Sequence, residues 1–322
     1  MTSKFLITLC AAALLSACGG KTDDAKSHTD SHHHAETSGD AVPTVKAAGV
    51  DVSDALIAAL SAQDENTKAR YQARHPGNTL AFFEIEPGMT VAEALPGGGW
   101  YSKILLDYLG ADGELIGVDY AFEMWPNFSF MTPERIKAKE TWPVDWVVGA
   151  QEWRDENSAK VSATTFSSVP AGTNGKVDAV LFVRALHNLS RFEDNGGYLS
   201  EAARVSYDML KPGGIVGVVQ HRAPELNADD WANGSNGYLK ESFVIKTFED
   251  AGFTLVARSE MNANALDRPT ENDIVWRLPP SLATTGPSDA DDEETASKKA
   301  VTRAKLQAVG ESDRMTLKFK KN

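Results

Sequence analysis

From residue 51 onward, short apolar runs alternate with stretches in which apolar side chains return every three or four positions. The first pattern is that of strands buried on both faces, and the second that of helices lying against them. Runs at 90–95, 115–119, 146–148, 177–183, 215–219 and 253–257 predict strands, and Met315-Thr316-Leu317-Lys318-Phe319 alternates cleanly enough to be the last one. Helical spacing covers 53–74, with Ser53 as its cap and His75-Pro76-Gly77 as its break, and then 100–109, 197–210 and 243–251. Repeated strand–helix units predict an α/β fold, a mostly parallel sheet with helices on both faces. Residues 262–313 interrupt the final pair of strands and are too long for an ordinary connection, so they are either a surface excursion or a lid. The acidic run within them, 289–294, reads as solvated.

The amino-terminal fifty residues follow neither pattern. Lys4 precedes an apolar run from Phe5 to Leu15, of signal-peptide length and too short to span a bilayer. It ends in Leu15-Ser16-Ala17-Cys18, which resembles the bacterial lipobox. That resemblance implies cleavage after residue 17 and acylation of Cys18; an ordinary secretory signal is the alternative. Cys10 would leave with the signal, so thiol chemistry, disulfides and Cys-metal sites would be closed to the mature chain. Gly19 follows the anchor, and by resemblance to known sorting signals this places the protein in the cell envelope, on the outer membrane facing the periplasm. Residues 18–50 read as a polar tether. His28, His32, His33 and His34 lie in it; they could hold a transition metal weakly, though a plain spacer is the simpler reading. Residues 51–322 form the folded domain, which includes the 262–313 insertion.

The chemistry begins at a glycine turn. Glu93 lies in the first strand, Pro96-Gly97-Gly98-Gly99 follows that strand, a helix starts at Trp100, and Asp119 ends the next strand. Glycines allow backbone to approach a ligand, a helix start offers free N–H donors, and an acid about twenty positions on suits a ribose. The same turn also reads as Gly97-x-Gly99-x-x-Ser102, close to a dinucleotide fingerprint, so an NAD-dependent dehydrogenase stays open, as do glycines with only a packing role.

The segments 91–99, Gly117-Val118-Asp119, Val177-Asp178-Ala179-Val180 and Leu210-Lys211-Pro212-Gly213-Gly214 resemble the class I S-adenosylmethionine-dependent methyltransferases. More narrowly, Pro96 to Ser102, His187-Asn188, Gln220 to Pro224 and Gly310 to Thr316 are similar to a bacterial family of methyltransferases of unassigned substrate. The resemblance covers about 52–320 and implies a Rossmann-like fold with an antiparallel last strand. It implies that S-adenosylmethionine is the cofactor, with Glu93 and the Gly97, Gly98 and Gly99 backbone at its methionine part and Asp119 at its ribose. In one respect the chain departs from the family: Leu95 stands where the first glycine of acid-x-Gly-x-Gly-x-Gly belongs.

Ligands of open parallel sheets bind at the carboxyl ends of strands. His187 and Asn188 follow one strand, His221 and Arg222 another, so both pairs are expected to face one crevice. Methyl transfer needs an aligned nucleophile and removal of its proton, a role suited to His187 and His221. Arg222 and Asn188 are the substrate-binding candidates. Tyr101, Tyr120 and Trp125 could wall the pocket, Asn262 and Asn264 could line it, and Glu311, Asp313 and Arg314 read as an ion-pair brace. No metal site is assigned, although two histidines with an acid leave one open. A net charge of −13 argues against general electrostatic binding to nucleic acid. The expected partners are a small-molecule substrate and, through Cys18, a membrane; no protein partner is inferred. The leading expectation is an envelope methyltransferase of unknown acceptor; a non-catalytic binding lipoprotein on the same fold is the alternative.

Overall fold

The computed structural model describes residues 42–45 and 49–322. The signal peptide, Cys18 and the histidines of the tether lie outside the described residues.

The chain runs β1 (Thr44–Val45), α1 (Asp54–Ala62), α2 (Glu65–Lys68), α3 (Tyr71–Arg74), α4 (Pro76–Phe82), β2 (Thr90–Ala94), α5 (Trp100–Leu109), β3 (Glu114–Asp119), α6 (Pro133–Lys137), α7 (Trp142–Ala150) and β4 (Lys160–Thr165). It continues with β5 (Val177–Val183), α8 (Leu186–Arg191), α9 (Glu193–Gly196), α10 (Tyr198–Met209), β6 (Leu210–Ala223), β7 (Leu239–Lys240), α11 (Glu241–Asp250), β8 (Phe253–Ser259), α12 (Glu293–Val309) and β9 (Arg314–Lys321).

The sheet order is β1-β8-β9-β6-β5-β2-β3-β4, with β7 pairing the far end of β6. β9 runs antiparallel to both its neighbours, while the other pairings are parallel. This is the Rossmann-like arrangement that the resemblance implies, reversed last strand included. Side chains alternate across the sheet. Ala92, Val180, Phe182, Val218 and Phe319 pack on the face covered by α10 and α11. Val91, Leu115, Ala179 and Leu181 pack on the other face, with α1, α4 and α5. Burial on both faces explains why the central strands read as mostly apolar runs.

Two predicted elements are corrected. Residues 146–148 belong to α7, which Pro143 opens in its first turn, and the strand beside β3 is Lys160–Thr165. The single helix expected over 53–74 is three, because Asp64 accepts from the Thr67 amide at 2.9 Å and starts a new helix there. Ser53 caps α1 as expected, accepting from Leu56 N at 3.3 Å.

Candidate active site

The turn after β2 departs from right-handed backbone at three positions: Leu95 (φ 56°), Gly97 (φ 54°) and Gly99 (φ 76°). Leu95 therefore keeps the conformation that a glycine would adopt there, at a steric cost, and its amide donates to Val118 O at 2.7 Å. A β-carbon at Gly98 would meet nothing within 4 Å, whereas one at Gly99 would lie 2.4 Å from the Trp153 ring. Gly97 and Gly98 thus open on free space, and Gly99 is closed by an indole.

Beneath the turn, Glu93 is buried and accepts from Ser102 Oγ at 2.6 Å. Burial pushes its carboxyl up to about 7, against the opposing effect of the Ser102 hydrogen bond. Glu93, Gly97 and Gly98 line one side of a cavity of about 320 Å³. His187, from the first turn of α8, and His221, from β6, line another side, with ring centroids 5.6 Å apart. His221 Nδ1 lies 2.6 Å from Ser312 Oγ, while His187 Nδ1 is buried without a hydrogen-bond partner. Burial lowers His187 to about 4 and His221 well below its ordinary value, so both imidazoles are neutral at pH 7. The insertion between β8 and β9 supplies Val275, Trp276 and residues 278–281 to this cavity. Part of the insertion thus forms one wall of the cavity.

The remaining sequence candidates divide. Tyr101 lines the cavity, as do Glu311 and Ser312. Asp119 is buried and does not line it: Lys139 Nζ sits 3.0 Å from Oδ2, and the Tyr120 amide 2.9 Å from Oδ1. The same ammonium lies 3.8 Å over the Trp125 ring. Burial raises the Asp119 carboxyl, and Lys139 opposes that rise. Asn188 donates to Tyr120 Oη at 2.9 Å on this same side, outside the cavity lining. Asn262 is bonded to Thr79 and Thr316, and Asn264 to the carbonyls of Val309 and Glu311.

The expectation that His221 and Arg222 share a crevice is corrected. Successive residues of a strand point to opposite sides. Arg222 lines a separate depression, and its guanidinium is taken up by Asp313 (2.9 Å), Glu260 (2.6 Å) and Glu241 (3.3 Å). Its ion pair with Asp313 is part of the expected brace. The rest of that brace is Glu311, paired with Arg70, Arg74 and Arg314. Among the described residues, no three His, Cys, Asp or Glu side chains gather closely enough to hold a metal ion.

Sequence reasoning passed over Arg184, Arg74 and Trp100. Arg184 directly follows Val183 at the carboxyl end of β5 and lines the cavity. The strand-end rule that selected His187 applies to it with more force. Arg74 meets Glu311 from 237 positions away, and no local signal marks that pairing.

No protein-family model matches the chain, and no curated protein matches it. Solved structures do. The chain is similar to the MccD protein (11% identity, TM-score 0.46, covering 79% of this chain and 98% of the other). It is similar to the [4+2]-cyclase SpnF (16%, TM-score 0.45, 77% and 80%). A SAM dependent methyltransferase from Aquifex aeolicus is a further likeness (17%, TM-score 0.39, 62% and 89%).

Proposed function

We propose that the protein is an S-adenosylmethionine-dependent methyltransferase acting on a small molecule. The observation that carries the reading is the glycine turn with Glu93 beneath it, opening on the cavity that also holds His187 and His221. The methionine end of the cofactor fits the residues present: Glu93 is a buried acid beside free space, and no β-carbon stands at Gly97 or Gly98. Glu93 would hold the ammonium group and the Gly97–Gly98 backbone would approach the chain of the amino acid. The cofactor supplies a methyl on a positively charged sulfur, whose bonding pair returns to sulfur as the acceptor's new bond forms. His221 and His187 are neutral imidazoles able to take the proton that an O–H, N–H or S–H acceptor releases. Ser312 fixes the His221 ring through Nδ1, leaving Nε2 for that task.

We further propose that Cys18 anchors this domain to the envelope, on the outer membrane facing the periplasm. The lipobox-like sequence supports this reading, and Cys18→Ala should release the protein from membranes and abolish palmitate labelling.

One observation favours a second reading, a binding protein without turnover. Lys139 occupies Asp119, the expected ribose acid, and Trp153 closes Gly99. Calorimetric titration of the full chain with S-adenosylmethionine, S-adenosylhomocysteine and NAD separates the cases. Tight binding of the first two alone, with methyl turnover lost in His221→Ala, supports the enzyme. Binding without turnover supports the second reading, and binding of NAD alone would end both.

A further inference from the structure

The cavity carries a charge imbalance that the reading above leaves unused. Four guanidiniums, from Arg70, Arg74, Arg184 and Arg314, surround one carboxylate, Glu311. Three of them are paired with it: Arg70 through Nε at 2.9 Å, Arg74 at 3.2 Å and Arg314 at 3.3 Å. Arg184 is the fourth. Among the described residues no carboxylate lies within ion-pair distance of it, and its Nε is buried without a hydrogen-bond partner. Its backbone is held at φ 58°, a left-handed conformation costly for a long side chain, at the point where β5 delivers it to the cavity. Burial and the nearby Arg184 charge together lower Arg74 to about 10, the mark of a cluster short of negative charge.

The sheet order says which ligand could supply that charge. β2 lies between β3 and β5. On the proposed reading, the nucleoside would extend from the Glu93 turn toward Asp119 on β3. Arg184 stands on the opposite side, with His187 and His221. The same cavity is lined by Trp100, Trp276, Leu278 and Pro279 among its polar groups.

We propose that Arg184 anchors the acceptor through an anionic group, so that the substrate is a small acid, a carboxylate on an apolar or aromatic body. Arg184 can meet both oxygens of such a group in a bidentate pair. The apolar body would lie against Trp276 and the prolines, with its nucleophile toward His187 and His221. A carboxylate there would also raise the two lowered imidazoles toward neutrality and make them stronger bases. The inference rests on the methyltransferase reading only in calling this ligand the acceptor; the anion site stands on the charge count alone.

The test is calorimetric titration of the full chain with benzoate and with benzamide, its neutral counterpart of equal size. Wild type should bind benzoate at least ten-fold more tightly, Arg184→Gln should erase the difference, and Arg184→Lys should keep part of it. Equal binding of the two ligands to wild type overturns the proposal, as does a benzoate preference that survives Arg184→Gln. If Arg184→Gln does not fold, the wild-type ratio and Arg184→Lys still decide. S-adenosylhomocysteine and 5′-methylthioadenosine, which lacks the amino-acid carboxylate, are titrated alongside. Both should bind Arg184→Gln as they bind wild type. Weakening of the first alone would give Arg184 to the cofactor's carboxylate and sink the acceptor assignment. Benzoate binding without nucleoside binding keeps the anion site and removes the methyltransferase reading; nucleoside binding without benzoate preference does the reverse.

Discussion

The two acids expected to grip one cofactor live in different surroundings. Glu93 borders open space, has a hydroxyl as its partner and is half-neutral near pH 7. Asp119, one strand over, is already matched by the Lys139 ammonium, which itself lies over the Trp125 ring. On the proposed reading, Glu93 stands ready for a cation, whereas Asp119 would first have to give one up. Ligand affinity is thereby tied to the displacement of Lys139, in the manner of a competition within the chain.

The largest test of this contrast is the pH dependence of stability. Glu93 has a folded value of about 7, raised above its ordinary 4.5, so the native state holds its proton more tightly than the unfolded chain does. Stability from this group is therefore full below about pH 4.5 and lost as pH rises through about 7, by roughly 3 kcal/mol. Denaturant titrations from pH 4.5 to 8 should show that loss in wild type relative to Glu93→Gln. Curves that run parallel would mean that Glu93 is not a buried, unpaired acid. His187 works in the opposite sense: with its folded value near 4, its contribution is lost as pH falls from about 6.5.

Next in size is Gly99→Ala. The added methyl would strike Trp153 on backbone already left-handed, and we expect a cost of about 2–3 kcal/mol in thermal or chemical unfolding. A neutral outcome would mean that the indole yields easily and that this side is not closed. Lys139→Met comes third. It leaves Asp119 buried without its ion pair and should destabilise the free protein by about 1–2 kcal/mol, a value reduced because Lys139 stays partly exposed. The same variant should bind S-adenosylhomocysteine several-fold more tightly, and weaker binding would show that Lys139 assists the ligand instead of competing with it. Smallest is Gly98→Ala, with a change in stability of a few tenths of a kcal/mol, since nothing stands where its β-carbon would go. Its effect should fall on ligand affinity, so calorimetry and melting should disagree at this position and agree at Gly99.

Much of the fold was legible because burial on both sheet faces writes mostly apolar runs into β2, β3, β5 and the core of β6, interrupted only by residues such as Glu93 and Asp178. Helix α5 spans the predicted 100–109, from the glycine turn to Gly110. Edge positions were harder to read. β4, Lys-Val-Ser-Ala-Thr-Thr, pairs with one neighbour only and is largely half-exposed, so no hydrophobic run marks it. Val147-Val148 mimics a strand, yet Pro143 opens a helix there. In the site, the glycine turn, Glu93 and both histidines were readable from position at strand ends. The capture of Asp119 by Lys139 depends on how 120–150 folds back, and the capture of Arg222 depends on three carboxylates brought from 241, 260 and 313. Neither pairing leaves a trace in local sequence.

The cavity's outer wall has a consequence for how such a protein could change its chemistry. Trp276, Pro279 and Ser281 come from a single excursion that leaves the sheet after β8 and rejoins it at β9, while the turn, Glu93 and the β5 terminus belong to the frame. On the proposed reading, selectivity and reactivity would be encoded in separable stretches of chain. A library confined to 275–281 could retune which molecule is admitted while the machinery beneath stays untouched, much as a keyhole plate is exchanged without rebuilding the lock.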